Sequence, residues 1–169
     1  MGGLGNLHIT MNGGQKWHTE GIRVPYHPHG PKAVHFELTA VPTFFANHHG
    51  WLPIGFGSKT ATFHTVDDGR HWKPGQAVRS SALGARWSFP ISCVGYMAVP
   101  ASRLAASRTT LYRSTDAGAT WRVASVLHGV VTDLDFLTNR IGWYVADNSY
   151  VYETHDGGAH WSPVQLEVD

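Results

Sequence analysis

The chain has 169 residues, 42% of them hydrophobic, 15% charged and 12% aromatic, with a formal net charge of +1. That length suits one folded domain, and so small a charge names no partner through bulk electrostatics. No apolar run approaches the ~20 residues of a membrane-crossing helix, and Cys93 stands alone, which excludes an intrachain disulfide.

Residues 1–25 predict one strand over 7–9, a turn, and a second strand over 17–24. The turn reads Thr10-x-Asn12-x-Gly14-x-x-Trp17. A Pro/Gly loop, Tyr26-His27-Pro28-His29-Gly30-Pro31, ends this unit. Residues 32–79 predict four strands, over 33–40, 50–57, 60–65 and 71–78, with Thr65-x-Asp67-x-Gly69-x-x-Trp72 joining the last two. Residues 80–127 predict strands over 87–91, 93–99, 109–114 and 120–126, with Ser114-x-Asp116-x-Gly118-x-x-Trp121 in the same place. Residues 128–169 predict strands over 131–137, 142–146, 150–154 and 160–168, with Thr154-x-Asp156-x-Gly158-x-x-Trp161. No helix longer than a turn is expected, and only 101–107 has weak helical propensity. The units abut without a linker, so 1–169 reads as one domain.

The eight-residue pattern recurs at spacings of 55, 49 and 40 residues, which marks a repeat protein. Each of its residues has a structural task in a turn between antiparallel strands. Asp or Asn accepts N–H bonds inside its own turn, and the Ser or Thr hydroxyl adds another local bond. Gly supplies a backbone conformation that a Cβ would penalise. Trp opens the next strand and offers a large apolar face to the packing between sheets.

At these residues the sequence resembles the Asp-box family, also called bacterial neuraminidase repeats, whose motif marks the turn between the third and fourth strands of β-propeller blades. The motif occurs in sialidases, sortilin-type receptors, some glycoside hydrolases and the propellers that assist photosystem II assembly. The last unit is closest in style to those assembly factors, in Leu134-Asp135-Phe136, Ile141-Gly142-Trp143-Tyr144-Val145 and the box that follows. Gly50-Trp51-Leu52-Pro53-Ile54-Gly55 echoes it in the second unit. The resemblance spans nearly the whole chain. It implies an all-β fold, a partial β-propeller of about 3.5 four-stranded antiparallel blades: half-blade 1–25, then blades 32–79, 80–127 and 128–169. One fold of this kind hosts many functions.

Three and a half blades do not close a ring, because propellers use four to eight. The chain is therefore expected to be a fragment of a larger propeller, a half-propeller whose homodimer closes a seven-bladed ring, or an open arc. Met1-Gly2-Gly3-Leu4-Gly5 lacks the positive and apolar regions of a signal peptide. Taken literally that gives a cytosolic chain, yet these residues lead straight into a third strand, so an earlier segment is expected. Many relatives are extracytoplasmic, and the compartment stays open.

In such propellers the boxes lie away from the usual active site, so the opposite face is the expected binding face. Its loops carry Lys32, Lys59, Arg79, Arg86, Arg103 and Arg108, with Arg23 at their edge. These are seven of the 13 basic residues, against one clear acid, Asp147. A cationic face of this kind suits a carboxylate, a sulfate, an anionic glycan or an acidic protein partner. Ordinary solvated loop charge is the other reading.

A catalytic set is not evident. Sialidases need an arginine cluster, a Glu-activated Tyr and an acid/base Asp. Ile22-Arg23-Val24-Pro25 only faintly resembles their early Arg-Ile-Pro motif, and it follows the first box where it should precede it. Asp67, Asp116 and Asp156 are spent on turns, and Asp133 with Asp135 is the nearest thing to the carboxylate pair of a glycosidase. His27 and His29 fall on the upper face and His48 and His49 on the lower, so they do not converge as zinc ligands must. His71, His155 and His160 occupy variable, exposed box positions. Cys93 reads as a small buried hydrophobe in a strand. No phosphate-binding loop, nucleic-acid motif, metal or cofactor is expected. The leading reading is a non-catalytic binding or assembly scaffold. The second is a fragment of a secreted, sialidase-like glycoside hydrolase.

Overall fold

The computed structural model describes residues 5–10, 12–22, 37–80, 84–101, 108–147 and 149–165. Every element among them is a β-strand, and the strands form successive antiparallel sheets. The half-blade is β1 (Gly5–Thr10) paired with β2 (Trp17–Ile22). Blade two holds β3 (Glu37–Leu38), β4 (Thr43–Phe44), β5 (Gly50–Phe56), β6 (Lys59–Thr65), β7 (Lys73–Pro74) and β8 (Val78–Arg79). Here β3 and β4 both pair with β5, and β7 and β8 both pair with β6. Blade three runs β9 (Arg86–Ile91), β10 (Val94–Pro100), β11 (Arg108–Ser114) and β12 (Arg122–His128) in simple order. Blade four runs β13 (Val131–Phe136), β14 (Gly142–Ala146), β15 (Tyr150–Thr154) and β16 (Ser162–Pro163). This is a partial β-propeller.

The apolar residues are sorted into seams rather than one central core. Between blades two and three, Trp51, Val78, Ala85, Met97, Val99 and Trp121 are buried together. Trp51 stacks on Phe89 at 4.7 Å and gives its Nε1–H to Ser92 O at 3.1 Å. Between blades three and four, Tyr96, Leu111, Leu127, Leu134, Phe136 and Tyr144 form the second seam, with Tyr96 stacked on Phe136. A third cluster, Leu52, Ile54, Phe56, Ala61 and Phe63, lies within blade two against Trp72 and Ala77. Blades two and three are thus apolar on both faces, as stacked blades require.

The outermost strands depart from the expected lengths. The strand expected over 71–78 is split into β7 and β8, and of that expected over 160–168 residues 162–163 form β16 while 166–168 lie outside the described residues. Residues 33–36 of the first strand expected in blade two lie outside the described residues, and the remainder forms β3, with β4 beyond it. The split has a cause. Gly75 N–H bonds Thr62 O at 2.8 Å, after which Gln76 turns away and gives its N–H to Gly118 O of the next box at 3.0 Å. Gln76 Oε1 then accepts Trp121 N–H at 2.6 Å. Blade three repeats the device: β12 shifts register opposite Leu111 and Tyr112, and Ser125 Oγ–H bonds Gly158 O at 2.6 Å. Gln76 and Ser125 each stand four residues after a box Trp, so the outer strand gives up regular pairing to hold the next blade's turn.

Cys93 is a correction. It sits exposed in the turn between β9 and β10 rather than buried in a strand. The turn is needed for its backbone: Cys93 O accepts Ala117 N–H at 3.0 Å, while Ser92 O holds Trp51.

Candidate functional site

The four boxes share one hydrogen-bond scheme. In the third, Ser114 Oγ–H donates to Asp116 Oδ1 at 2.8 Å and accepts Gly118 N–H at 2.9 Å. Asp116 Oδ1 also accepts Thr120 N–H at 2.9 Å. Thr65, Asp67, Gly69 and His71 repeat this, as do Thr154, Asp156, Gly158 and His160, and Thr10, Asn12, Gly14 and Lys16. Gly69, Gly118 and Gly158 lie at φ +84°, +82° and +85°, where a side chain is strained.

The second carboxylate oxygen has a partner that the motif does not spell out. His71 Nδ1 lies 2.6 Å from Asp67 Oδ2, Thr120 Oγ1–H donates to Asp116 Oδ2 at 2.6 Å, and His160 Nδ1 lies 2.7 Å from Asp156 Oδ2. These side chains directly precede the box Trp. All three are exposed, as expected for the two histidines, but they are engaged. The box that carries Asn12 has Lys16 there, and a carboxamide has no second anionic oxygen to satisfy.

These bonds set an acid sensitivity. The side-chain bond from His71, its N–H and Thr65 hold the Asp67 carboxyl far below the usual carboxylate range. The N–H and ring of His160 do the same for Asp156. At Asp116, desolvation pushes upward, yet the hydrogen bonds from Thr120 and Ser114 together win, and its value is lowered too. A lowered carboxyl contributes stability that is complete above the ordinary value near ~4 and is lost as pH falls below it. The thermal midpoint is therefore expected to drop as pH goes from about 5 to about 2. Asp67→Asn, which reproduces the Asn12 box, should remove part of that drop. Melts at four pH values check this, and parallel curves for the two proteins would contradict it.

Four of the seven cations expected on the loop face, Lys59, Arg79, Arg86 and Arg108, fall among the described residues. Lys59 and Arg79 are direct partners across β6 and β8. Arg79 lines a cleft of about 390 Å³ between blades two and three, with Ser58, Ser80, Val99, Pro100 and Tyr112 among its walls. Ser80 is buried, and its Oγ has no hydrogen-bond partner among the described residues. Arg86 gives its Nε–H to Thr132 O at 2.7 Å and so ties β9 to β13. Arg108 is exposed at the start of β11, and its carbonyl accepts Ala101 N–H at 3.0 Å. Arg23, Lys32 and Arg103 lie outside the described residues, as do His27, His29 and the stretch 102–107. Asp147, the acid expected on this face, bonds Val130 N–H through Oδ1 at 3.0 Å.

Asp133 and Asp135, the pair weighed for catalysis, are engaged locally, as is Asp68. Asp133 Oδ1 accepts Leu134 N–H at 2.9 Å, Asp135 Oδ1 accepts Ser88 Oγ–H at 3.3 Å, and Asp68 lies 2.8 Å from His48 Nδ1. His49 Nδ1 and His64 Nε2 are 3.2 Å apart beside Trp51. No group of three or more metal-ligating side chains occurs among the described residues. Ser80 and Tyr112 escape sequence reading, because no pattern tells which strand residues border a gap between blades.

No family model and no curated protein sequence matches the chain. Solved structures do. A structure of YCF48 bound to D1 peptide is 22% identical, with a TM-score of 0.53, over 83% of this chain and 44% of that one. A mutant of NanB sialidase from Streptococcus pneumoniae is 12% identical, with a TM-score of 0.55, over 88% and 25%. A GH74 enzyme from Niastella koreensis is 19% identical, with a TM-score of 0.50, over 70% and 21%. The chain spans less than half the length of each of these proteins. At such identities the likeness concerns the fold. The chain is a partial β-propeller with the fold of the YCF48-like and sialidase-like propellers.

Proposed function

We propose that the chain is a non-catalytic binding scaffold that takes a protein partner on the face opposite its box turns. The observation that carries this reading is the cleft between blades two and three. It sets the Arg79 cation beside an unpartnered, buried Ser80 hydroxyl and apolar walls from Val99, Pro100 and Tyr112. A carboxylate flanked by an apolar side chain fits such a lining. Lys59 is the neighbour of Arg79 in the sheet, and Arg86, Arg108, Arg23, Lys32 and Arg103 extend the cationic face by their sequence positions. An anionic glycan is the other ligand of this chemistry. YCF48, a propeller of this shape, has been solved with a peptide bound, which supports the peptide choice.

Selection from a displayed random-peptide library on the immobilised protein tests the reading. The selected peptides should be acidic, and Arg79→Ala should weaken them by about tenfold. A selection in which no peptide is weakened by Arg79→Ala would overturn it. The glycoside-hydrolase reading is checked by turnover of a fluorogenic sialoside panel, and turnover lost on changing Arg23 would establish it instead. The homodimer belongs to the same proposal. Trp17, in the half-blade at one end of the arc, is 58% exposed, and a second copy closing the ring would cover it. Light scattering would then give twice 18.5 kDa.

A further inference from the structure

A second cleft opens on the box side, between the third and fourth boxes. Its volume is about 450 Å³, and Arg113, Arg122, Asp116, Thr120, Val123 and Asp156 are among its lining residues. Arg113 and Arg122 are direct partners across β11 and β12. Facing partners in an antiparallel pair project to the same side at close range, and like charges there are unfavourable. The two carboxylates at the rim do not relieve this. Asp116 is taken by Ser114 and Thr120, and Asp156 by Thr154, Ala159 and His160.

Neither arginine makes an ion pair among the described residues, where the ion pairs join histidines to carboxylates. Arg113 lies over the Tyr96 ring at 5.7 Å, and its Nη2 reaches Asn139 O at 3.4 Å, yet its Nε is buried without an acceptor. Arg122 is exposed. A buried, charged donor without an acceptor is costly, and an arginine pair on one face matches the fork of a carboxylate. The neighbouring strand adds a preference. β12 is the edge of its sheet, and Val123 and Val126 are 60% and 48% exposed along it. An unpaired edge with exposed β-branched residues accepts an extended peptide, which adds as a further strand.

We propose that this cleft is a carboxylate-binding site, filled by a Glu or Asp side chain of an acidic peptide that lies along β12 with its carboxylate between Arg113 and Arg122. The site is on the opposite face from the Arg79 cleft, so the two readings stand or fall separately. The probe is a blocked hexapeptide of alternating Glu and Val, titrated into the ¹⁵N-labelled chain while the arginine Nε–H resonances are followed. The Arg113 and Arg122 resonances should shift and saturate while that of Arg79 stays still, and the Gln–Val analogue should move neither. Arg122→Ala should weaken the Glu–Val peptide by tenfold or more, and Arg122→Lys should retain part of the binding. The proposal is overturned by any of three results: unmoved Arg113 and Arg122 resonances at millimolar peptide, equal shifts with the Gln–Val analogue, or free galacturonate matching the Glu–Val peptide, which would assign the site to acidic sugars.

Discussion

Replacing Gly118 with alanine is expected to cost about 2–5 kcal/mol, whereas the same change at Gly14 should cost no more than about 1–2 kcal/mol. Both glycines hold the same place in a box, and both lie at positive φ, +82° and +89°. The backbone strain of an L-residue is therefore common to the two variants. The difference is what a Cβ would meet. At Gly118 it would run into Thr62 Oγ1 and approach Trp51 Cζ3 at 2.9 Å, both in blade two. At Gly14 it would meet only Trp17 Cζ2, at 3.8 Å. The collision at Gly118 is with a fully buried Trp and a Thr inside a strand, which cannot move aside cheaply. Urea unfolding of the two variants measures this, with unchanged m-values as the sign that the unfolding transition itself is preserved. Equal losses would mean that the third box does not pack into blade two.

Trp121→Ala should destabilise the chain by about 3–5 kcal/mol, while Trp17→Ala should stay within about 1 kcal/mol. The two residues are again equivalent in the repeat. Trp121 is 6% exposed and sits among Trp51, at 6.2 Å, and Trp87, at 5.9 Å. Trp17 is 58% exposed. Truncating Trp121 opens a cavity between two sheets that are held apart by their other side chains, so collapse is incomplete and the cost is high. Thermal melts of the two variants decide it, and a Trp17→Ala loss as large as that of Trp121→Ala would show that the half-blade is buried against something in solution, as ring closure by a second copy would require.

What could be read in advance followed the range of the interactions. The four box turns were legible to the residue, since their bonds join positions two and four apart and need nothing beyond the turn itself. The partner of the second carboxylate oxygen was missed for a different reason. His71, Thr120 and His160 have no common identity, and only their shared ability to reach the carboxylate from the residue before Trp unites them. Among the candidate cations, sequence order puts Arg79 and Arg86 on one expected face, and they stand in β8 and at the start of β9. Their fates differ through contacts with residues far along the chain: Arg86 meets Thr132, and Arg79 borders Pro100 and Tyr112.

The amino-acid sequence by itself determined the repeat, the all-β class and the position of every box, because alternation and turn chemistry are written in neighbouring residues. The tertiary structure alone decided which box Trp is buried, that Gln76 and Ser125 hold the next blade's turn, that Cys93 is exposed, and that Arg113 faces Arg122 across a cleft. Each of these depends on how one twisted sheet rotates and slides against the next. That rotation is set by the summed packing of two apolar faces, and no single stretch of the chain encodes it.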